Sequence, residues 1–251
     1  VADRKVLGLI EAFLKARVLE ETSWEPEEGT PQGGVISPLL ANIYLDSMDH
    51  AMAKAGFTMV RYADDFVVLC RTEAHALEAL ARVRSWTKKA GLTLHPEKTR
   101  LVDLPNSDCF DFLGYHFQIN RRNPNKINRW PRKKSLKKLK DRVRQATRRN
   151  NGHSLATTIA RLNPILRGFF AYFQHSLKYT FSDIDGWVRM RLRSILRAHK
   201  KLRGRGRGRD HQRWPNAYFR ERGLFSMTEA QAVAVEFHRR EDDGRERRMR
   251  G

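Results

Sequence analysis

The residues in this sequence with the sharpest chemical potential are Asp64 and Asp65, adjacent carboxylates in Tyr62-Ala63-Asp64-Asp65. Apolar runs flank them, Met59-Val60 before and Phe66-Val67-Val68-Leu69 after, and such runs around a short polar centre predict two strands joined at a tight turn. Asp is common in turns, so a pair of solvated carboxylates at a hairpin tip is one reading. The flanks 57–60 and 66–70 are nevertheless too apolar for solvent-facing strands, and adjacent carboxylates at the lip of a buried hairpin repel each other. A divalent cation relieves that repulsion. Hard carboxylate oxygens suit Mg²⁺, which keeps water and phosphate oxygens as its other ligands, and two such ions bridging an attacking hydroxyl and a leaving phosphate form a phosphoryl-transfer device.

Other residues are candidates by type. Gly33-Gly34 lets a ligand approach the backbone with no side chain in the way, and Gln32 offers a donor and an acceptor beside it. A plain loop before a helix is the alternative. Ala63 is small beside the carboxylates, and Tyr62 is expected to pack beneath the turn. Lys98 is either a solvated surface lysine or a phosphate-facing cation. His95 and His116 lack the partner spacing of a metal site and read as structural. Cys70 and Cys109, the two cysteines, are too few for a disulfide framework or a cysteine zinc site.

The elements that must position these residues follow from periodicity. Val6, Leu7, Leu9, Ile10, Phe13, Leu14 and Val18 fall at helical spacing, after which Glu20 to Gly34 reads as loop. Ser37-Pro38 predicts a helix start, with the hydroxyl as cap and proline first in the helix, running to about Lys54 with Gly56 beyond its end. Thr72 is expected to cap a helix carrying Leu77, Leu80, Val83 and Trp86, and Gly91 to end it in the left-handed conformation. Short strands are expected around 92–94, 100–104 and 110–119. Helices interleaved with an antiparallel sheet make an α+β pattern.

After Asn120 the texture changes. Residues 135–149 place Leu136, Leu139, Val143 and Ala146 on one stripe and cover the remainder with Lys and Arg. Leu155, Ile159 and Leu162 predict a second helix, Asn163-Pro164 is expected to cap a third, and Ser182 to begin a fourth, giving a helical bundle. Residues 200–210 read as a flexible basic strap, Trp214, Tyr218, Phe219, Leu224 and Phe225 as a segment docking back on the bundle, and the stretch from Arg239 as frayed.

Charge separates the halves as well. The 251 residues carry 49 basic and 28 acidic side chains, net +21. Residues 121–251 hold 36 basic and 11 acidic side chains, while residues 1–120 hold 13 and 17. A surplus so concentrated points to a polyanion such as nucleic acid. At 40% hydrophobic the composition excludes disorder throughout. No apolar stretch approaches the length of a membrane span, and residues 1–5 lack the apolar region of a signal peptide, so an intracellular protein with no membrane partner is expected.

The motifs in combination resemble a family. Tyr62-Ala63-Asp64-Asp65 is similar to the catalytic hairpin of reverse transcriptases. Thr30 to Asn42 (TPQGGVISPLLAN) upstream and Phe112-Leu113-Gly114-Tyr115 downstream stand in the order and spacing of reverse transcriptases encoded by group II introns. Residues 162–173 (LNPILRGFFAYF) look like the maturase-specific thumb of that family, and residues 212–219 like its C-terminal end. The thumb resemblance argues against a defence-type reverse transcriptase, and two cysteines give no sign of a Cys/His-rich endonuclease domain.

The resemblance implies an α+β partial palm over residues 1–120, an all-α thumb/maturase bundle over 121–200, and a basic strap and C-terminal extension over 201–251. It implies an RNA-directed DNA polymerase and intron maturase acting in a bacterial cytoplasm, with Asp64 and Asp65 as catalytic ligands of Mg²⁺, two ions in the complete enzyme. Gln32, Gly33, Tyr62, Ala63 and Lys98 would bind nucleotide or template, with Lys98 facing the triphosphate, and Leu113, Gly114 and Tyr115 would form the primer grip. A plain core strand is the other reading of that last segment, and both can hold. Lys133, Lys134, Lys137, Lys138, Arg142, Arg203, Arg205 and Arg207 would bind RNA, and the partners would be intron RNA, an RNA template with its DNA primer, and dNTPs. Reverse transcriptases also need a third carboxylate on an earlier strand. The upstream acids Asp3, Glu11, Glu20, Glu21, Glu25, Glu27 and Glu28 do not end an apolar strand. The expectation is therefore a C-terminal portion of a longer enzyme, inactive as a polymerase when isolated. The alternative is a non-catalytic RNA-binding splicing cofactor or a reverse-transcriptase remnant.

Overall fold

The computed structural model describes residues 3–15, 37–106, 108–149, 152–202 and 208–237. It divides into two compact units, Val1–Leu101 and Val102–Gly251. The composition break at Asn120 falls inside the second unit.

In the first unit, α1 (Arg4–Lys15) starts where Asp3 accepts from the amide of Lys5 at 2.7 Å. Val6, Leu7 and Leu9 on it are exposed. α2 (Ser37–Lys54) takes in Ser37 itself, so the serine is the first helical residue and not the cap. At its end Gly56, with φ +81°, donates to the Ala53 carbonyl, and Phe57 to that of Met52, the paired closure that only a left-handed residue allows. The chain then turns into β1 (Thr58–Tyr62) and β2 (Asp65–Leu69), an antiparallel pair. α3 (Glu73–Lys89) is capped by Thr72 as expected and closed by Gly91 at φ +67°. Met48 and Met52 of α2, Phe57, and Ala79 and Val83 of α3 form the buried core, and Met59, Phe66 and Val68 pack on it from the hairpin.

No strand forms at 92–94 or 100–104. Residues 92–95 run without regular structure into a turn at 96–98, and Asp103 draws the second segment into a turn by accepting from the amide of Asn106 at 3.3 Å.

The second unit opens with a three-stranded meander, β3 (Cys109–Phe112), β4 (Tyr115–Asn120) and β5 (Asn123–Pro131). The single strand expected over 110–119 is thus two strands folded on each other, because Leu113 (φ +47°) and Gly114 (φ +78°) make a two-residue turn with both residues left-handed. β5 went unread since its run of Asn, Arg and Lys carries little apolar alternation. α4 (Lys133–Ala146), α5 (Leu155–Phe173) and α6 (Lys178–His199) follow, then the short α7 (Asp210–Arg213), α8 (Asn216–Arg220) and a helix over 227–237. Two expected helix starts differ. α5 runs through Pro164, and α6 begins four residues before Ser182.

The core of this unit joins Leu139, Val143, Ile159, Leu162, Leu166, Phe181, Val188, Leu192 and Ile195 to Trp214, Phe219 and Met227, so the C-terminal segment docks on the helices as its aromatics predict. Three buried or half-buried polar side chains tie it down. Asn163, instead of capping a helix, donates to the Gly223 carbonyl at 2.8 Å and accepts from the amide of Phe225 at 2.9 Å. Asp185, 3% exposed, accepts from the amides of Met227 and Thr228 and from the Ser226 hydroxyl. Arg193 donates through Nε to the Trp214 carbonyl at 2.9 Å. The strap residues 203–207 and the stretch from Arg239 lie outside the described residues.

Candidate active site

Tyr62 pairs with Asp65, leaving Ala63 and Asp64 as the two turn residues between β1 and β2. Ala63 has φ +54°, a left-handed conformation that costs a non-glycine residue on the order of 1 kcal/mol and persists only where its surroundings impose it. Arg61 imposes it. Its guanidinium, in a side chain 9% exposed, donates through Nη1 to the Ala63 carbonyl at 2.8 Å and to Asn42 Oδ1 at 3.0 Å, and through Nε to Asp49 Oδ1 at 2.9 Å. The turn is thereby fixed to two positions of α2. The hydrogen bonds to Asp49 hold the Arg61 pKa above its ordinary value.

Arg61 is the cation nearest the pair in sequence, and it faces Asp49, not Asp64 or Asp65. Both site carboxylates are exposed, and among the described residues neither has a hydrogen-bond or ion-pair partner. Two unpaired carboxylates on a fixed turn fit part of the oxygen donor set of Mg²⁺. Among the described residues no group of three or more His, Cys, Asp or Glu side chains could hold a metal by itself. Of the upstream acids, Asp3 caps α1, Glu11 lies on α1, and Glu20, Glu21, Glu25, Glu27 and Glu28 lie outside the described residues.

Tyr62 does not pack beneath the turn. Strand alternation puts Thr58, Val60 and Tyr62 on the face away from the α2–α3 core, and Tyr62 is 66% exposed. The expectation that neither strand faces solvent fails with it, since Val60 and Leu69 are also exposed. Lys98 is exposed, its amide donating to the His95 carbonyl in the turn at 96–98. Gln32 and Gly33 lie outside the described residues, as do Arg203, Arg205 and Arg207.

In the second unit Leu113, Gly114 and Tyr115 come together at the β3–β4 turn. The Gly114 carbonyl accepts from the Arg132 amide at 2.9 Å and the Ser135 hydroxyl at 3.2 Å, which fastens the turn to the start of α4. A Cβ on Gly114 would stand 3.4 Å from both Phe173 and Ser135. Lys133, Lys134, Lys137, Lys138 and Arg142 are all exposed on α4, opposite the buried Leu139 and Val143. His116 bonds Asp111 at 2.6 Å, one strand pair away. Arg61, Asp49 and Asn42 were not singled out from sequence. The signal available was a lone charged residue inside a five-residue strand, next to the motif.

The comparisons with known proteins agree with this layout of motifs. Residues 3–117 match the reverse transcriptase (RNA-dependent DNA polymerase) family model, and residues 136–214 match the group II intron maturase-specific domain. The chain is also 52% identical over 50 residues to the group II intron-encoded protein LtrA of Lactococcus lactis subsp. cremoris, a match covering 20% of this chain and 8% of LtrA. Together these matches support a group II intron reverse transcriptase/maturase. Weaker relatives are an uncharacterized 91 kDa protein in a cob intron of Schizosaccharomyces pombe (26% identical, 45% of this chain and 21% of that one) and YkfC of Escherichia coli (26% identical, 46% and 39%). The chain thus aligns with less than half the length of each of these relatives. Among the described residues no helix is long and apolar enough to cross a membrane.

Proposed function

We propose that the chain serves RNA-directed DNA synthesis and intron maturation in a bacterial cytoplasm, its first unit as part of a polymerase palm and its second as a primer-grip and thumb/maturase bundle. The observation that carries this is the arginine-fixed turn, which presents two unpaired carboxylates inside the segment that matches the reverse transcriptase family. Asp64 and Asp65 would hold Mg²⁺ together with a carboxylate from outside the described residues. When bound, two such ions activate the attacking hydroxyl and neutralise the leaving phosphate. The chain's own part is positional. Arg61 keeps the carboxylates from shifting, Ala63 leaves room for the primer terminus, and Tyr62 offers an exposed ring to a base or sugar. Gln32, Gly33 and Lys98 would meet template and dNTP. Leu113, Gly114 and Tyr115 would hold the primer strand, and the α4 lysines, Arg142 and the 203–207 arginines would hold intron RNA.

The test is primer extension on an RNA template with Mg²⁺ and dNTPs, by the chain and by a version extended at its N-terminus, each with and without Asp64→Ala. Extension lost on substitution with RNA binding kept supports the polymerase reading. An RNA-dependent splicing function indifferent to Asp64→Ala would replace it with a non-catalytic splicing cofactor.

A further inference from the structure

The helical unit carries an open cavity of about 440 Å³ that neither the carboxylate turn nor the β3–β4 turn uses. Its walls are Trp130 at the end of β5 and Trp187 on α6, both half-buried, with Leu136 of α4 and Ile184 of α6 between them and Tyr179, 69% exposed, alongside. The cavity is therefore flat-sided and aromatic. Both tryptophans are braced from behind. The His116 ring lies 4.8 Å from that of Trp130 and is itself bonded to Asp111. The guanidiniums of Arg144 and Arg191 lie 5.9 and 5.6 Å from the Trp187 ring, and Arg191 is anchored on the Thr147 carbonyl at 3.1 Å.

The charge around the cavity is mostly positive. Lys140 lines it, Lys178 stands over the Tyr179 ring at 5.9 Å, and Arg144 and Arg191 flank Trp187. Burial, then the like charges of Arg144 and Arg149, lower the Arg191 pKa, while Arg144 itself pairs with Asp141 at 2.6 Å. Asp183 is the single carboxylate in the lining. An apolar peptide or lipid tail has no use for that ring of cations. A nucleotide has a use for every part of it, because bases stack on aromatic faces, phosphates seek Lys and Arg, and a carboxylate accepts from the N–H groups of an unpaired Watson–Crick edge.

We propose that this cavity captures one unpaired base of a bound RNA, stacked against Trp130 and Trp187, with its phosphate held by Lys140 and Lys178 and its N–H edge read by Asp183. The proposal rests on the RNA-binding reading of the basic unit but is distinguishable from it. Two single-stranded oligoribonucleotides of equal length, one with bases and one abasic, are titrated against the chain at fixed salt. The base-containing strand is expected to bind roughly ten-fold tighter or more, given what stacking on one aromatic contributes. That advantage should vanish in Trp187→Ala, survive in Trp187→Phe, and shrink in Asp183→Asn, whose exposed site places no demand on folding. Equal affinity of the native chain for both strands overturns the base pocket while leaving RNA binding intact. Failure to bind either strand overturns both readings. Light scattering in which Trp187→Ala converts a dimer to a monomer would assign the cavity to a second copy of the chain and likewise overturn the proposal.

Discussion

Tyr115 and Tyr172 each donate a phenol hydroxyl into the other's segment. Tyr115 Oη reaches the Tyr172 carbonyl at 2.6 Å, Tyr172 Oη reaches the Leu113 carbonyl at 2.9 Å, and the rings stack with centroids 6.2 Å apart. The β3–β4 turn is thereby clamped to the C-terminal end of α5. Burial raises the Tyr115 pKa above its usual value of 10.0, since the phenolate is the form that burial disfavours. The folded pKa is higher than the unfolded one, so the stability this group contributes is whole below about pH 10 and is lost as pH rises through the raised value. A phenolate also cannot donate to the Tyr172 carbonyl. Urea midpoints of the native chain should fall more steeply above pH 10 than those of Tyr115→Phe, and parallel curves would refute the clamp. Tyr172→Phe at neutral pH should cost about 0.5–1 kcal/mol, kept small because this hydroxyl is partly solvated.

Arg61 and Asp49 should behave as one unit. Arg61→Met leaves the Asp49 carboxylate and the Ala63 carbonyl without their donor, at a cost of about 1–3 kcal/mol. Arg61→Lys should not rescue, because an ammonium lacks the planar fork that spans Asp49, Asn42 and Ala63 at once. A double-mutant cycle with Asp49→Asn measured by thermal unfolding should give a coupling of about 1 kcal/mol or more. Additive losses would mean that the turn does not depend on the pair.

The ties to the C-terminal segment should be individually costly. Asp185→Ala orphans two amides and a hydroxyl, and Asn163→Ala an amide and a carbonyl, so each is expected to lose about 2–3 kcal/mol. Limited proteolysis should then cut first between residues 214 and 228. Protection equal to that of the native chain would show that apolar burial alone holds the segment.

RNA affinity should depend steeply on salt. Each single-strand phosphate neutralised contributes about −0.7 to the slope of log K against log salt. Replacing Lys133, Lys134, Lys137 and Lys138 with Gln should therefore flatten the slope by up to about 3 in filter-binding titrations. An unchanged slope would place the RNA on another surface.

What could be read from sequence was what local chemistry decides. The caps at Thr72 and Gly91, the closure at Gly56 and the hairpin around Ala63-Asp64 each follow from a residue whose own conformational or hydrogen-bonding preference sets the structure. Residues whose partners are distant in sequence were misread. Asn163-Pro164 carries the signature of a cap, yet the Asn163 partners lie 60 and 62 residues on, and tertiary packing keeps α5 continuous through the proline. Leu113-Gly114 reads as strand because its neighbours are aromatic on alternate positions, a pattern that a tight hairpin folds back on itself without erasing. Arg61 carries no local signal of its role, because nothing in its immediate neighbours names Asp49 or Asn42.

Similarity to the maturase-specific domain stops at residue 214, but the molecule does not. Phe219 and Met227 are fully enclosed, and Gln231, 7% exposed, donates to the Ser176 carbonyl at 2.7 Å just beyond the end of α5. The smallest piece of this unit able to fold by itself thus extends at least to Gln231. A fragment trimmed to the matched region would expose the faces of α5 and α6 that these residues cover, and an aggregated product from such a fragment would reflect where it was cut and not what the protein can do.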